Sequence, residues 1–123
     1  MAADFYRKSG SLVNSNTSDI TVPGAGTDIY KVKITMTSVV TGGSGGGVEA
    51  IVERFSGSVH MPQGAQFTAM IGSSPGSPMI IEGMYLGTEV IRLRSLLVTA
   101  TASTTYYTVT MIKLPGVTLT DIV

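Results

Sequence analysis

Between Ile29 and Thr41 the chain alternates with period two. Tyr30, Val32, Ile34 and Met36 are interleaved with Lys31, Lys33, Thr35 and Thr37. Successive side chains of an extended strand point to opposite faces, so this spacing gathers an apolar set on one side and a polar, cationic set on the other. The same spacing on a helix gives no apolar stripe. The segment is therefore expected to be a long strand with one buried face, and such a face needs a second layer to cover it.

Other segments repeat the pattern. From Tyr106 to Leu114, Tyr107, Val109 and Met111 alternate with Tyr106, Thr108 and Thr110. From Glu89 to Ser95, Ile91 and Leu93 oppose Arg92 and Arg94, and this strand is expected to lead into Leu97–Ala102. Shorter candidates are Asp19–Val22, Gly57–Met61, Gln66–Ile71 and Met79–Met84. Pro23-Gly24, Pro62-Gln63-Gly64, Pro75-Gly76 and Leu86-Gly87 separate them as turns, and Ser103-Thr104 sits where a hairpin would place its loop. Val, Ile, Thr and Tyr suit a pleated surface and lose rotamer freedom in helices. About eight short strands with regular turn signals predict one all-β domain, an antiparallel β-sandwich or jelly roll.

Val48–Phe55 fits this picture least well. Val48, Ile51, Val52 and Phe55 fall at i, i+3, i+4 and i+7, the spacing of a two-turn helix. A strand here requires a bulge or burial on both faces. Short isolated helices are marginal and the surroundings are β, so a strand is the favoured reading.

With 123 residues the chain has room for one core and buries about two-thirds of its unfolded surface on folding. The strands divide it into a sandwich over residues 19–114 with an N-terminal arm over 1–18 and a C-terminal arm over 115–123. Both arms are rich in apolar residues: Phe5, Tyr6, Leu12 and Val13 at one end, Val117, Leu119, Ile122 and Val123 at the other. Disordered tails are usually poor in such residues. Two readings follow: arms that dock on a neighbour, or edge strands of the same sandwich.

Composition removes several functions. No cysteine is present, which excludes disulfides, thiol catalysis and thiolate metal sites. Eight basic residues balance eight acidic ones, so the basic surplus of a general nucleic-acid binder is missing. Met1–Lys8 contains no apolar signal region, and no apolar run reaches the ~18 residues of a membrane helix. Use in a cytosol, or in a particle assembled there, is expected.

Motif matches do not survive their context. Gly42-x-Ser44-x-Gly46 has the outline of a nucleophile elbow, and Gly45-x-Gly47-x-x-Ala50 that of a dinucleotide loop. The first needs a strand–turn–helix in a larger α/β fold, the second a βαβ unit. The glycine run is expected to be a flexible loop tip. His60 is the single histidine and builds no zinc site alone; it is expected to be a satisfied or solvent-facing strand residue. Glu82 and Glu89 flank one turn, but a paired-carboxylate glycosidase also needs a cleft and stacking aromatics, and tryptophan is absent. The pairs Lys31/Lys33 and Arg92/Arg94 each share a strand face. They suit either a solvated outer face or an acidic partner surface. Of seven methionines, Met36, Met70, Met79, Met84 and Met111 lie inside apolar segments and are expected to be mostly core filler. No catalytic residue, cofactor or metal is expected, and the chain reads as a binding or structural protein.

Several local patterns occur together: Val22-Pro23-Gly24 before Tyr30-Lys31-Val32, then Ile81-Glu82-Gly83, Leu86-Gly87-Thr88-Glu89 and Val109-Thr110. Over residues 19–114 the chain thereby resembles small all-β virion proteins of tailed bacteriophages, and departs from them at Gly42–Gly47 and Val48–Phe55. The resemblance implies a head decoration (cement) protein, often trimeric, that binds the major capsid protein lattice and stabilises the mature head. Its location would be the capsid surface of a virion assembled in the host cytoplasm, without direct contact to nucleic acid or membrane. On that reading the partner-binding residues are those of the arms: Phe5, Tyr6, Arg7, Leu12, Val13, Val117, Leu119, Ile122 and Val123. A neck, tail or fibre component of the virion is an alternative. A carbohydrate-binding sandwich is another, with Tyr85, Tyr106 and Tyr107 as its stacking platform.

Overall fold

The computed structural model describes residues 5–43, 46–69, 75–120 and 122. Eight strands follow in order: β1 (Phe5–Val13), β2 (Asn16–Thr21), β3 (Asp28–Gly42), β4 (Gly47–Ser56), β5 (Val59–Ala69), β6 (Met79–Leu86), β7 (Val90–Val98) and β8 (Ala102–Thr118). They form two four-stranded sheets, ordered β1-β8-β3-β6 and β2-β7-β4-β5, and every strand pairing is antiparallel. Consecutive strands mostly alternate between the two sheets. This is the wiring of a jelly roll, in which an antiparallel ribbon is wrapped so that its two halves face each other. The expected all-β sandwich is what the chain forms.

The core lies where the alternation puts it. Tyr30, Val32, Ile34 and Met36 of β3 and Val109 and Met111 of β8 face Val52 of β4 and Ile91 and Leu93 of β7 across the sandwich. Ile34, Val32, Val52, Ile91 and Leu93 are completely buried, which for side chains of this size contributes about 1.5–3 kcal/mol each. A smaller cluster of Val40, Val48 and Ala100, with Leu97 against it, closes one end.

Residues 48–55 are a strand, and of the two alternatives that reading allowed it is burial on both faces that the segment shows, its pairing with β7 running without a register shift. Val48, Ala50 and Val52 point inward, while Glu53 on the opposite face is also buried. A bulge interrupts the β4–β5 register between Val52 and Glu53: Val52 pairs with Gly64 and Glu53 with Pro62, which leaves Gln63 as the extra residue. Pro62-Gln63-Gly64 is therefore not a turn. Val59–Met61 and Gln66–Ala69 are two parts of β5, while Gly57 and Ser58, expected to begin that strand, form the turn from β4; β5 is an edge strand that tolerates proline because its outer side needs no ladder donor, and Met70 and Ile71 lie outside the described residues. The bulge gives Gln63 a task. Its Oε1 accepts a hydrogen bond from the Tyr85 hydroxyl on β6 at 3.0 Å, tying the two sheets along this edge.

The second correction concerns Ser103-Thr104. Both lie inside β8, opposite Val40 and Val39 of β3, and Ser103 is buried. The connection is Thr99–Thr101, with Thr99 at φ 63°, and it joins two sheets rather than the strands of a hairpin. A run of threonines carries no mark of where the chain crosses between layers.

The terminal segments belong to the sandwich. Residues 5–13, expected as part of an arm, are β1, paired along their whole length with Thr104–Ile112 of β8. At Asn14 (φ 56°) the chain turns into the second sheet. Asn14 fits this corner because its short amide tolerates a left-handed backbone and its Oδ1 accepts the Ser103 amide hydrogen bond at 3.0 Å. Residues 115–118, expected in the other arm, end β8 beyond a kink at Gly116, where φ is 70°. The edge-strand reading thus holds for residues 5–13.

The glycine run is packed. Gly46 and Gly47 are buried, and a Cβ on Gly46 would collide with the Ala100 backbone. Gly43 and Gly46 permit close approach to the β7–β8 connection; Ser44 and Gly45, on which the expected flexible tip falls, lie outside the described residues.

Candidate interaction surfaces

Each sheet has an outer face, and the two are built differently. On β1-β8-β3-β6 the ladder registers set out rows of neighbours. Phe5, Ile112, Lys31 and Met84 form one row; Arg7, Thr110, Lys33 and Glu82 the next; then Ser9, Thr108, Thr35 and Ile80; then Ser11, Tyr106 and Thr37; then Val13, Thr104 and Val39. Six large apolar side chains on this face are exposed: Phe5, Val13, Ile80, Met84, Tyr106 and Ile112. Between them lie serines and threonines. A shallow depression of about 190 Å³ is bounded by Lys31, Lys33, Glu82, Thr110 and Ile112. Arg7, Lys31 and Lys33 enter no ion pair with another described residue, so three cations face one carboxylate, Glu82.

On β2-β7-β4-β5 the outer charges are used internally. Arg92 holds Asp19 through two hydrogen bonds, at 2.8 and 3.0 Å. The Arg92 guanidinium also lies 4.7 Å from the centre of the Phe55 ring, which stacks on His60 at 4.8 Å. His60 Nε2 is 2.5 Å from Glu53 Oε2, and Glu53 Oε1 accepts from Arg94 at 3.3 Å. One strip of contacts therefore crosses all four strands. The hydrogen bond from Arg92 holds the Asp19 carboxyl below the usual carboxylate range, against a smaller opposing effect of burial.

A further ion pair seals one end of the core. Arg54 donates to Glu89 at 2.6 and 3.1 Å and lies 4.2 Å over the Tyr85 ring. Glu89 also accepts the Leu86 amide at 2.6 Å. Burial pushes the Tyr85 phenol up; nearby Arg54 opposes this and Glu89 adds to it. Glu89 is thus a structural carboxylate, and Glu82 stands apart from it on the outer face of β6.

The sequence-predicted contact residues separate into groups. Phe5, Arg7 and Val13 lie on the outer face of the first sheet. Tyr6 has the opposite parity, with its ring edge-on to Tyr30 at 6.1 Å. Leu12 is buried in the core, where no partner can reach it without opening the fold. Val117, Leu119 and Ile122 are exposed, Ile122 fully. Val123 lies outside the described residues. Ile80 and Ile112 were not singled out from sequence, Tyr106 was named only as part of a tyrosine platform, and Met84, expected as core filler, is exposed because it has the outward parity of β6. The signal available was a large apolar residue at a position whose strand parity is otherwise polar. The tyrosine platform does not form, since Tyr85 and Tyr107 are 1% and 7% exposed and only Tyr106 is open. His60 is a half-exposed, satisfied strand residue, as expected.

No protein-family model matches the sequence, and no curated protein matches it. A solved structure described as "CBM4 structure and function" is similar over 74% of this chain and 68% of its own, at 14% identity and a TM-score of 0.35. A likeness of that degree bears on neither ligand nor partner.

Proposed function

We propose that this chain is a non-enzymatic structural protein of a phage particle, of the decoration type, and that it docks on the capsid lattice through the outer face of β1-β8-β3-β6. The observation that carries this reading is the set of six exposed large apolar side chains on one sheet face. From strand spacing and rise that face measures roughly 20 by 30 Å, on the order of 600 Å². This is comparable with the ~800 Å² each partner contributes to a standard interface. The unpaired Arg7, Lys31 and Lys33 add a sign to the partner. Two copies placed face to face would bring like charges together, whereas a surface bearing carboxylates would complete them. Many copies each burying such a face would add stability across subunit junctions of a shell.

The test is co-sedimentation with undecorated heads. The variant combining Tyr106→Lys and Ile112→Asp alters two exposed residues and is expected to keep its melting temperature while losing at least tenfold in binding. Binding equal to the unaltered chain would sink the proposal. Copy number on the particle separates a decoration protein, present in hundreds, from a neck or tail component, present in a few rings.

A further inference from the structure

The side of the sandwich between edge strands β1 and β2 is open. A cleft of about 200 Å³ lies there, lined by Tyr6, Arg7, Lys8, Ile20, Val109 and Met111. Its floor is core: Ile20, Val109 and Met111 are all at least nine-tenths buried. Lys8 is the unusual member. It pairs in register with Val109, so it has the inward parity of β1, yet it is exposed because no strand covers it. The cleft thus combines an apolar floor with a cationic rim.

The same chain carries a segment of matching chemistry. Beyond Lys113 the sequence runs Leu-Pro-Gly-Val-Thr-Leu-Thr-Asp-Ile-Val, and its single charged residue is Asp121. Val117 and Leu119 are nearly half exposed and Ile122 is entirely exposed. Leu119 is held by one backbone hydrogen bond to Thr27 at 3.2 Å. Three exposed aliphatic residues within six positions, next to a carboxylate, answer an apolar cleft rimmed by Lys8 and Arg7.

We propose that the 117–122 segment of one copy docks in the β1–β2 cleft of the next, aliphatic side chains on the Ile20–Val109–Met111 floor and Asp121 against Lys8. Cleft and segment are different surfaces of one chain, so the contact is heterologous; such contacts build rings or open filaments according to the rotation between copies, and a closed ring is the form proposed here. Effective concentration then favours the final contact once the others exist. This rests on the reading of the chain as a multi-copy particle protein, but uses a surface that shares only Arg7 with the outer face of β1-β8-β3-β6.

Light scattering after size exclusion tests it with the full chain and three variants: Lys8→Glu, Ile122→Asp, and Lys8→Glu combined with Asp121→Lys. Lys8 and Ile122 are exposed, and circular dichroism confirms that each variant is folded. The unaltered chain should elute as a closed multimer, each single variant as a monomer, and the charge-swapped double variant as the multimer again. An equimolar mixture of the two single variants retains one intact cleft and one intact segment, and should form a dimer. A monomeric unaltered chain, an unchanged mass for Lys8→Glu, or a mixture that stays monomeric overturns the proposal. If Tyr106→Lys abolishes binding to heads while the mass is indifferent to Lys8, the docking face stands and the exchange fails.

Discussion

The two outer faces are made from the same lattice of strands, yet they treat charge in opposite ways. On β2-β7-β4-β5, Arg92 and Arg94 are answered by Asp19 and Glu53 of the same chain, and Phe55 and His60 fill the space between them. On β1-β8-β3-β6, Lys31 and Lys33 enter no ion pair with a described residue, with Glu82 the one carboxylate beside them, and apolar side chains stand among threonines. Both lysines and both arginines looked alike in sequence, as same-face pairs on a strand. The difference teaches that a cationic pair says little until its cross-strand neighbours are known. A face that satisfies itself has little to offer a partner, while an unsatisfied, partly apolar one has surface that association can bury.

The comparison can be broken most sharply where pairing reaches furthest inside. Glu89→Ala leaves Arg54 without its carboxylate at the sealed end and strips the Leu86 amide of its acceptor. A loss of about 3 kcal/mol is expected in urea unfolding, because an uncompensated charge that is largely buried is strongly destabilising. If the loss is under a third of that, the pair is not holding this end together. Next comes Glu53→Ala, which releases His60 and Arg94 at once; about 2 kcal/mol is expected, since both partners can partly return to water.

Charge reversal on the other face should move a different quantity. Lys31→Glu with Lys33→Glu is expected to leave stability within about 0.5 kcal/mol, as for exposed sites without special partners. Binding to undecorated heads should fall by roughly tenfold, or about 1.4 kcal/mol, and more at low salt than at high salt. A stability loss without a binding loss would reverse the roles assigned to the two faces. The smallest effect concerns Asp19. Its folded carboxyl titrates below its unfolded value, so its contribution is present above the ordinary carboxylate range near pH 4 and is lost as the pH falls through the lowered folded value. Melting temperature measured from pH 6 to pH 2 should therefore fall less steeply in Asp19→Asn. The difference should shrink in high salt, because the Asp19–Arg92 pair is exposed.

Much of the fold was legible before any coordinates. Period two identified β3, the inward set of β8 and the Ile91–Leu93 pair, because an amphipathic strand writes its two faces directly into alternate positions. The turns at Pro23-Gly24 and Leu86-Gly87 were equally plain. In the second, a Cβ on Gly87 would run into the Ala25 carbonyl, so the glycine marks a close approach of two corners. Pro62-Gln63-Gly64 and Ser103-Thr104 misled for one reason. A bulge and a turn use the same residues, and a threonine-rich strand gives no contrast where it crosses between sheets. The candidate surface was legible in part. Phe5, Arg7 and Val13 came from the apolar content of the N-terminal segment, but Ile80, Met84, Tyr106 and Ile112 join them only through the β1–β8–β3–β6 ladder.

By itself, then, the sequence determined that this chain is all-β, which residues of its longest strands are buried, and that no cysteine chemistry is open to it. These follow from local spacing and composition. The tertiary structure decided which strands became neighbours, and with that the difference between the self-paired face and the open one. It also decided that β1 is an edge strand flanking a cleft, and that Leu12 is core while Phe5 is surface. Such facts depend on pairings between residues as distant in the chain as Phe5 and Ile112. Period-two alternation states that a side chain points up or down, but which layer or strand lies above it is settled by the order in which the sheets are wound.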